Sequence, residues 1–561
     1  MSLQGAEIQQ LTTTGNAALP SVSPDGRYVA YVQRDEAEES LWIRQTGAAS
    51  NVQIVAARPG VRIAGVTVTP DGTFVDYLTL ESLPNVVLTL WRVPFLGGTP
   101  RRLIDNVHSP VAWAPDGKQM AFSRAGLDYS HSSIVIADAE GRNERTLAMR
   151  EGSELGFFSI RNPGGDYTRL SWSPDGKVIF VPGWGFPGGV LTGFMLFVGV
   201  TDGHLEAKSL TPPGVGVWFD NTSLLYSRSL GPRAPQQLWR LAYPSGDLSR
   251  LTNDLSTYQG PSLTVDRDAF AVARSEDEVD IWIGDSAATS GRDVAPAVQP
   301  MVANGSSLAW APDRLIFTAR TSSGTGLSRL TPENAASDQV LADADAPSVT
   351  ADGRTLVYVS RASETLNTLW RTDPNGGRPT RIAGTADWPV LTPDDHSVIF
   401  TALTSAGRRR LWIVPVEGGT PLQITDLEAY TPDVSPDGKS LAFASVDDKN
   451  RMMIVVCDLP SCTRQKRLTP PGLAIALGVG GRLRWTTDSG GIAYVNMQSQ
   501  PNLWVQPLSG APPRQLSRFA DGRAILDFAW SRDGARLAIA RAKTTTDIVL
   551  FRGLRRRPPA S

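Results

Sequence analysis

Ser109-Pro110-Val111-Ala112-Trp113-Ala114-Pro115-Asp116-Gly117 is a short apolar run that ends in a tight turn. Proline presets φ for such a turn, an aspartate carboxylate accepts backbone N–H bonds within it, and glycine supplies the positive φ that closes it. The same tripeptide stands at Pro24-Asp25-Gly26, Pro70-Asp71-Gly72, Pro174-Asp175-Gly176 and Pro436-Asp437-Gly438. It loses its proline at Ala351-Asp352-Gly353 and Arg532-Asp533-Gly534, and degenerate copies centre on Asp220, Asp266, Asp313, Asp394 and Asp488. From Asp25 to Asp533 the twelve aspartates are spread over 508 residues, a mean spacing near 46. An aspartate in such a turn is structural by default, so none of the twelve is assigned as a metal ligand or an acid catalyst.

The flanks of the turn are as regular. An apolar strand precedes it. An alternating strand follows, as in Tyr28-Val29-Ala30-Tyr31-Val32 or Leu441-Ala442-Phe443-Ala444. Then comes a variable loop, and a strand often marked Leu-Trp, as at Leu41-Trp42, Leu90-Trp91, Leu238-Trp239 and Leu503-Trp504. A Gly-Gly or Asp-Gly turn leads to a last strand of the type Arg250-Leu251-Thr252. Four strands per unit with period-2 alternation, in units of this length, predict four-stranded propeller blades. The tryptophans, standing at one repeat phase, read as packing between blades. The expected fold is therefore all-β, a tandem β-propeller of twelve blades in two six-bladed rings, 1–288 and 289–561.

A ring has to be sealed. Repeat six ends on Asp280-Ile281-Trp282-Ile283 and repeat twelve on Asp547-Ile548-Val549-Leu550, each read as a third strand. Glu7-Ile8-Gln9-Gln10-Leu11-Thr12 looks like a fourth strand with no blade before it, and residues near Asp293-Val294 can play that part for the second half. Each ring is expected to be sealed by its own first strand.

Composition narrows the function. At 561 residues, 54 Lys and Arg against 56 Asp and Glu give a net charge of −2, which asks for no nucleic acid. Arg408-Arg409-Arg410 and Arg555-Arg556-Arg557 read as solvated surface. No apolar run approaches the roughly 18 residues of a membrane span. No secretory signal precedes the first repeat, and Met1-Ser2-Leu3 runs directly into repeat-like sequence, so a piece of a longer protein is expected. Four scattered histidines and two cysteines supply no metal site, and no cofactor is expected. Cys457 and Cys462 are either two free thiols or a hairpin disulfide, and a disulfide implies an oxidising compartment.

The unit Arg-Leu-Thr, Ser-Pro-Asp-Gly-Lys, Leu-Trp, Gly-Gly resembles the TolB-like propeller repeat over nearly the whole chain. Ser40-Leu41-Trp42-Ile43-Arg44-Gln45, Val93-Pro94-Phe95-Leu96-Gly97-Gly98 and the ending Asp527-Phe528-Ala529-Trp530-Ser531-Arg532-Asp533-Gly534 look like a particular set of these modules. That set forms the C-terminal part of acidobacterial membrane-anchored serine/threonine kinases and of related winged-helix regulators. The resemblance implies a non-catalytic sensory or scaffold region outside the cytoplasm, with a cytoplasmic place left open. The alternative it implies is a periplasmic envelope scaffold, and a propeller hydrolase is a lesser alternative. The kinase motifs are absent from the sequence, as is the Gly-x-Ser-x-Gly elbow of the α/β-hydrolase domain that such propellers cap.

The partner is expected to be a protein, a peptide or a small ligand at one propeller face. Long loops on a rigid scaffold usually carry binding. The face of the blade-to-blade loops is favoured, with Phe157, Phe158, Trp184 and Phe186 at the longest insertion. Tyr258, Trp388 and Tyr430 precede their inner strands and are expected to rim the channels there.

Overall fold

The structure, a computed structural model, describes residues 3–35, 38–81, 87–125, 131–152, 155–157, 169–185, 192–210, 214–229, 235–296, 298, 300, 307–321, 324–362, 367–404, 408–447, 451–473, 482–496 and 500–555. These residues form strands and turns with no helix among them. The repeating element is an antiparallel four-stranded sheet, such as Ala17–Val22, Tyr28–Asp35, Glu38–Gln45 and Asn51–Val55.

The turn motif works by hydrogen bonding. At Asp437, one carboxylate oxygen accepts the Ser435 hydroxyl at 2.6 Å and the Lys439 N–H at 3.1 Å, and Ser435 Oγ accepts the Ser440 N–H at 2.9 Å. Gly438 sits at φ +71°, where a side chain is disfavoured. The hydroxyl two residues before the aspartate, then the backbone N–H two residues after it, hold the carboxyls of Asp437, Asp488 and Asp533 below the usual carboxylate range. The turn aspartates are thus bound into the turns they close.

Register explains the Leu-Trp signature. Trp42 lies opposite Tyr31, Trp91 opposite Tyr77, Trp239 opposite Tyr226, Trp370 opposite Tyr358 and Trp504 opposite Tyr494. Directly opposed aromatics are among the cross-strand pairs that stabilise a sheet. The leucine before each tryptophan faces the other side of its sheet and is fully buried, as at Leu41, Leu238 and Leu503.

The chain divides into two compact units, Met1–Glu276 with Thr544–Ser561, and Asp277–Lys543. In the first, side-chain hydrogen bonds stitch the innermost strands of four neighbouring pairs of sheets. Ser262 Oγ accepts the Val22 N–H, Ser21 Oγ the Val68 N–H and Ser171 Oγ the Trp218 N–H, at 2.9–3.1 Å, while Thr67 Oγ1 donates to the Val111 carbonyl. These links, with the packing of Thr257–Leu263 against Ala17–Val22, close a cycle of six sheets. The second unit closes in the same way. Ser348 Oγ accepts from Leu391 N–H, Asp433 from Trp485 N–H and Asp527 from Leu308 N–H, the last joining the final inner strand to the first.

The sealing of the cycles differs from the expectation. Strands Ala269–Asp285 and Arg536–Arg552 each run 17 residues and cross a unit boundary. In the first unit, Thr257–Leu263 pairs with the early part of Ala269–Asp285, and Glu7–Gln10 pairs with Val549 to Arg552. Ile281-Trp282-Ile283 instead belongs to the second unit, where it pairs with Gly291–Val294. The two third strands are therefore exchanged relative to a 1–288 and 289–561 partition. The outer strands near Glu7 and Asp293 lie in their expected places, as fourth strands. The physical reason is that neither long strand contains a turn. Ala269–Asp285 holds no Gly or Pro before Gly284, and Arg536–Arg552 holds none, so the second strand runs straight on where a hairpin would return it.

Cys457 and Cys462 form a disulfide, with Cα atoms 4.9 Å apart and both residues buried. The bridge spans the turn after Met452–Asp458. Closing so short a loop is expected to contribute about 2 kcal/mol. Thiol titration of the denatured, unreduced protein should find no free thiol, and reduction should lower the unfolding midpoint of Asp277–Lys543. Two titratable thiols after aerobic purification contradict the bridge.

Candidate functional site

The inner strands surround a central cavity in each unit, and both cavities are lined toward the Pro-Asp-Gly turns. In the first unit it measures about 530 Å³ and is bordered by the turn prolines Pro24, Pro70, Pro115 and Pro174. Arg169 stands six residues before its turn aspartate and reaches across it. Its guanidinium donates to the carbonyls of Pro261 at 3.3 Å, Pro20 at 3.3 Å and Val66 at 3.0 Å. All three acceptors stand five residues before a turn aspartate, on three other sheets. Pro20 and Pro261 lie within register shifts, between Ala18 and Ser21 and between Gln259 and Ser262, and Val66 follows one between Ile63 and Gly65.

The second unit has a cavity of about 330 Å³, and Arg482 stands at the same repeat position as Arg169. Its setting is different. Arg482 Nη2 donates to Ser307 Oγ at 2.8 Å, and its Nε lies 3.8 Å from Asp527 Oδ2. Arg484 Nε donates to the Phe528 carbonyl at 3.1 Å, and its terminal nitrogens lie 3.6 Å from Asp433 and from Asp527. Asp527 is fully buried, and its Oδ1 takes no hydrogen bond among the described residues. Burial pulls the Arg482 guanidinium down to about 10 against the attraction of Asp527, and burial pushes the Asp433 carboxyl up.

A second cluster of this unit gathers where the inner strands begin. Arg361 Nη2 lies 2.9 Å from Asp345 and 3.4 Å from Asp387, and Arg409 Nη1 lies 2.6 Å from Asp387. The Arg409 guanidinium stacks 5.1 Å from the Trp388 ring centroid, and Trp388 meets Tyr430 edge-on at 6.1 Å. Tyr430 donates to Glu428 at 2.7 Å, and burial together with that carboxylate pushes its hydroxyl up to about 12. Trp388 is only partly buried and sits at φ +48°, immediately before Pro389.

The residues singled out in the sequence divide three ways. Trp388 and Tyr430 come together and remain partly accessible. Phe157, expected on the loop face, and Tyr258, expected at a channel rim, are both buried. Phe157 is 1% exposed in the core, and Tyr258 is 5% exposed with its hydroxyl on Asp254 and its ring against Phe551. Apolar ring area at the start of an inner strand is drawn into the contact with the next sheet. Trp184 is partly buried on strand Val178–Gly185, beside Gly156 of the neighbouring strand. Phe158 and Phe186 lie outside the described residues. Arg409, expected on solvated surface, is instead paired and stacked. Asp345 is 1% exposed and ion-paired. Arg169, Arg482 and Arg484 were not legible as single residues; only their distance from a turn aspartate marks them.

No family model and no curated protein matches the chain. Among solved structures it is similar to a TolB-type protein from Agrobacterium tumefaciens, at 16% identity over 48% of this chain and 99% of that one, with a TM-score of 0.38. It is similar to TolB from Acinetobacter baumannii at 14% identity, covering 65% of this chain and 83% of that one, TM-score 0.28. The tricorn protease matches over 93% of this chain and 59% of its own length, at 12% identity and a TM-score of 0.33. Likenesses at this level assign no ligand and no activity.

Proposed function

We propose that the chain is a non-catalytic binding region that takes a protein or peptide partner at the inner-strand starts of Asp277–Lys543, around Trp388. The observation that carries this reading is Trp388 itself. The left-handed bulge is common to several blades, at Leu19, Gly260, Ala346 and Thr431. Only at 388 does it hold a large aromatic. A bulky side chain at positive φ costs on the order of 1 kcal/mol, and this one leaves part of its ring open while Arg409 and Tyr430 fix its orientation. Packing alone does not account for it. Rigid aromatics beside an arginine are the residues that dominate partner binding.

The disulfide supports an oxidising, extracytoplasmic setting. Within that setting the region serves as the sensor part of a membrane-anchored signalling protein or as an envelope scaffold. The genomic frame upstream of Met1 separates the two. A kinase or winged-helix domain followed by a membrane span marks the first, and a signal peptide alone marks the second.

Trp388→Ala, which keeps the Cβ and so leaves the backbone cost of the positive φ unchanged, should keep the unfolding midpoint of the unit. It should weaken capture of the natural partner by about 30-fold, the size of a hot-spot loss. Leu96→Ala, at an exposed turn of the other unit, should leave capture unchanged. Undiminished capture by the folded Trp388→Ala protein would overturn the assignment.

A further inference from the structure

We propose that the central cavity of Asp277–Lys543 is a carboxylate-binding site, in which Arg482 and Arg484 hold the anion. This stands apart from the reading at Trp388, whose ring is not part of the cavity lining.

The argument is one of donor supply. Each guanidinium carries a fork of five N–H donors. Arg482 makes one hydrogen bond, to Ser307, and Arg484 makes one, to the Phe528 carbonyl, among the described residues. The carboxylates of Asp433 and Asp527 approach the two guanidinium groups only to 3.6–3.8 Å, beyond hydrogen-bond reach. Asp433 and Asp527 are instead committed to backbone, accepting the N–H groups of Trp485 and Leu308 at 2.8 Å each. Two nearly buried cations therefore face a cavity of about 330 Å³ with most of their donors unused. The unused donors open onto the cavity, and a planar carboxylate matches the guanidinium fork bidentately.

The other unit sharpens the case. At the same repeat position Arg169 is used up by the fold, since its guanidinium donates to the carbonyls of three sheets. In Asp277–Lys543 the sheet following Arg482 carries Asp527 at the equivalent position, where the sheet following Arg169 carries Gly214. Asp527 lies 3.8 Å from Arg482 Nε, and Arg482 makes one hydrogen bond where Arg169 makes three. The volume suits a compact organic acid or the C-terminal end of a peptide. These two sources share the carboxylate.

Calorimetric titration of the full chain at constant ionic strength tests the proposal with four probes. They are succinate, acetyl-Ala-Ala-Ala with a free C-terminus, the same peptide as its C-terminal amide, and inorganic phosphate. Succinate or the free-acid peptide is expected to bind with a Kd below about 10 mM, and the amide is not. Binding of succinate alone identifies a small acid, and binding of the free-acid peptide alone a chain terminus. Arg484→Gln is expected to weaken this binding by at least ~10-fold with an unchanged β-type circular dichroism spectrum. Should Arg484→Gln fail to fold, Arg484→Lys keeps the charge and loses the fork, and it should bind more weakly than the natural protein. The proposal is overturned if neither carboxylate binds, if the amide binds as well as the acid, if phosphate alone binds, or if the folded Arg484 variant binds as the natural protein does. Loss of partner capture in Trp388→Ala bears on none of these outcomes.

Discussion

A chain ended after Lys543 is expected to lose the first unit and keep the second. Ile548, Val549, Leu550 and Phe551 are 0–2% exposed, and they sit between the strand that begins at Ala269 and Glu7–Gln10. At roughly 1.5–3 kcal/mol for each fully buried side chain, the removed strand accounts for about 6–12 kcal/mol, an upper estimate. That is as large as the whole net stability of an ordinary domain. Glu7–Gln10 also loses its only strand partner among the described residues. Limited proteolysis should cut the shortened protein within 3–276 while sparing 277–543. The last blade of the second unit keeps all four of its strand segments, because its third strand is supplied by Asp277 to Asp285. Two unaltered unfolding transitions in the shortened chain would refute the exchange of third strands.

Asp76→Ala should be among the most damaging single substitutions. Asp76 and Arg92 lie directly opposite each other on neighbouring strands and are almost wholly buried. Arg92 Nε and Nη2 donate to the two carboxylate oxygens at 2.6 and 3.0 Å, and Trp113 Nε1 adds a third bond at 3.1 Å. The guanidinium is enclosed between the rings of Trp113 and Phe74. Alanine at 76 leaves that charge without its partner, at a loss of about 3–5 kcal/mol. Thermal unfolding of the first unit should fall by on the order of 10 °C. Replacing both residues, as Asp76→Leu with Arg92→Met, should recover most of the loss, because an apolar pair of similar volume is nearly neutral in such a place. A double variant as unstable as the single one would show that the pair is valued for its packing and not for its charge.

The repeat was readable because turn chemistry is local. Proline, aspartate and glycine specify a backbone shape within three residues, and Ser435 and Asp437 complete it by themselves. The inner, second, third and outer strands follow from alternation in the same way. What a local pattern does not carry is which ring a strand joins. Asp280-Ile281-Trp282-Ile283 and Asp547-Ile548-Val549-Leu550 present the same alternation, and either satisfies the sheet edge it meets. The signal that does discriminate is a missing one. Between Ala269 and Ile283 there is no Gly or Pro to close a hairpin, and between Arg536 and Arg552 there is none either. Site residues were legible in proportion to their exposure to sequence pattern. Trp388 and Tyr430 could be placed from their offset before an inner strand. Tyr258 has that offset too and Phe157 stands in the longest insertion, but burial against the neighbouring sheet decides their fate, and burial depends on the packing of residues far apart in the chain.

The exchanged strands also set an order in time. Synthesis proceeds from the N-terminus, and domains generally fold as units as they emerge. Here residues 3–276 leave the ribosome with their last sheet lacking its third strand, and that strand arrives only after some 270 further residues. The whole of the second unit is translated in the interval and has every strand it needs once Lys543 is out. The unit that is started first is thus the last to close, and until it does Glu7–Gln10 and the edge of Ala269–Asp285 are open β-edges of the kind chaperones hold.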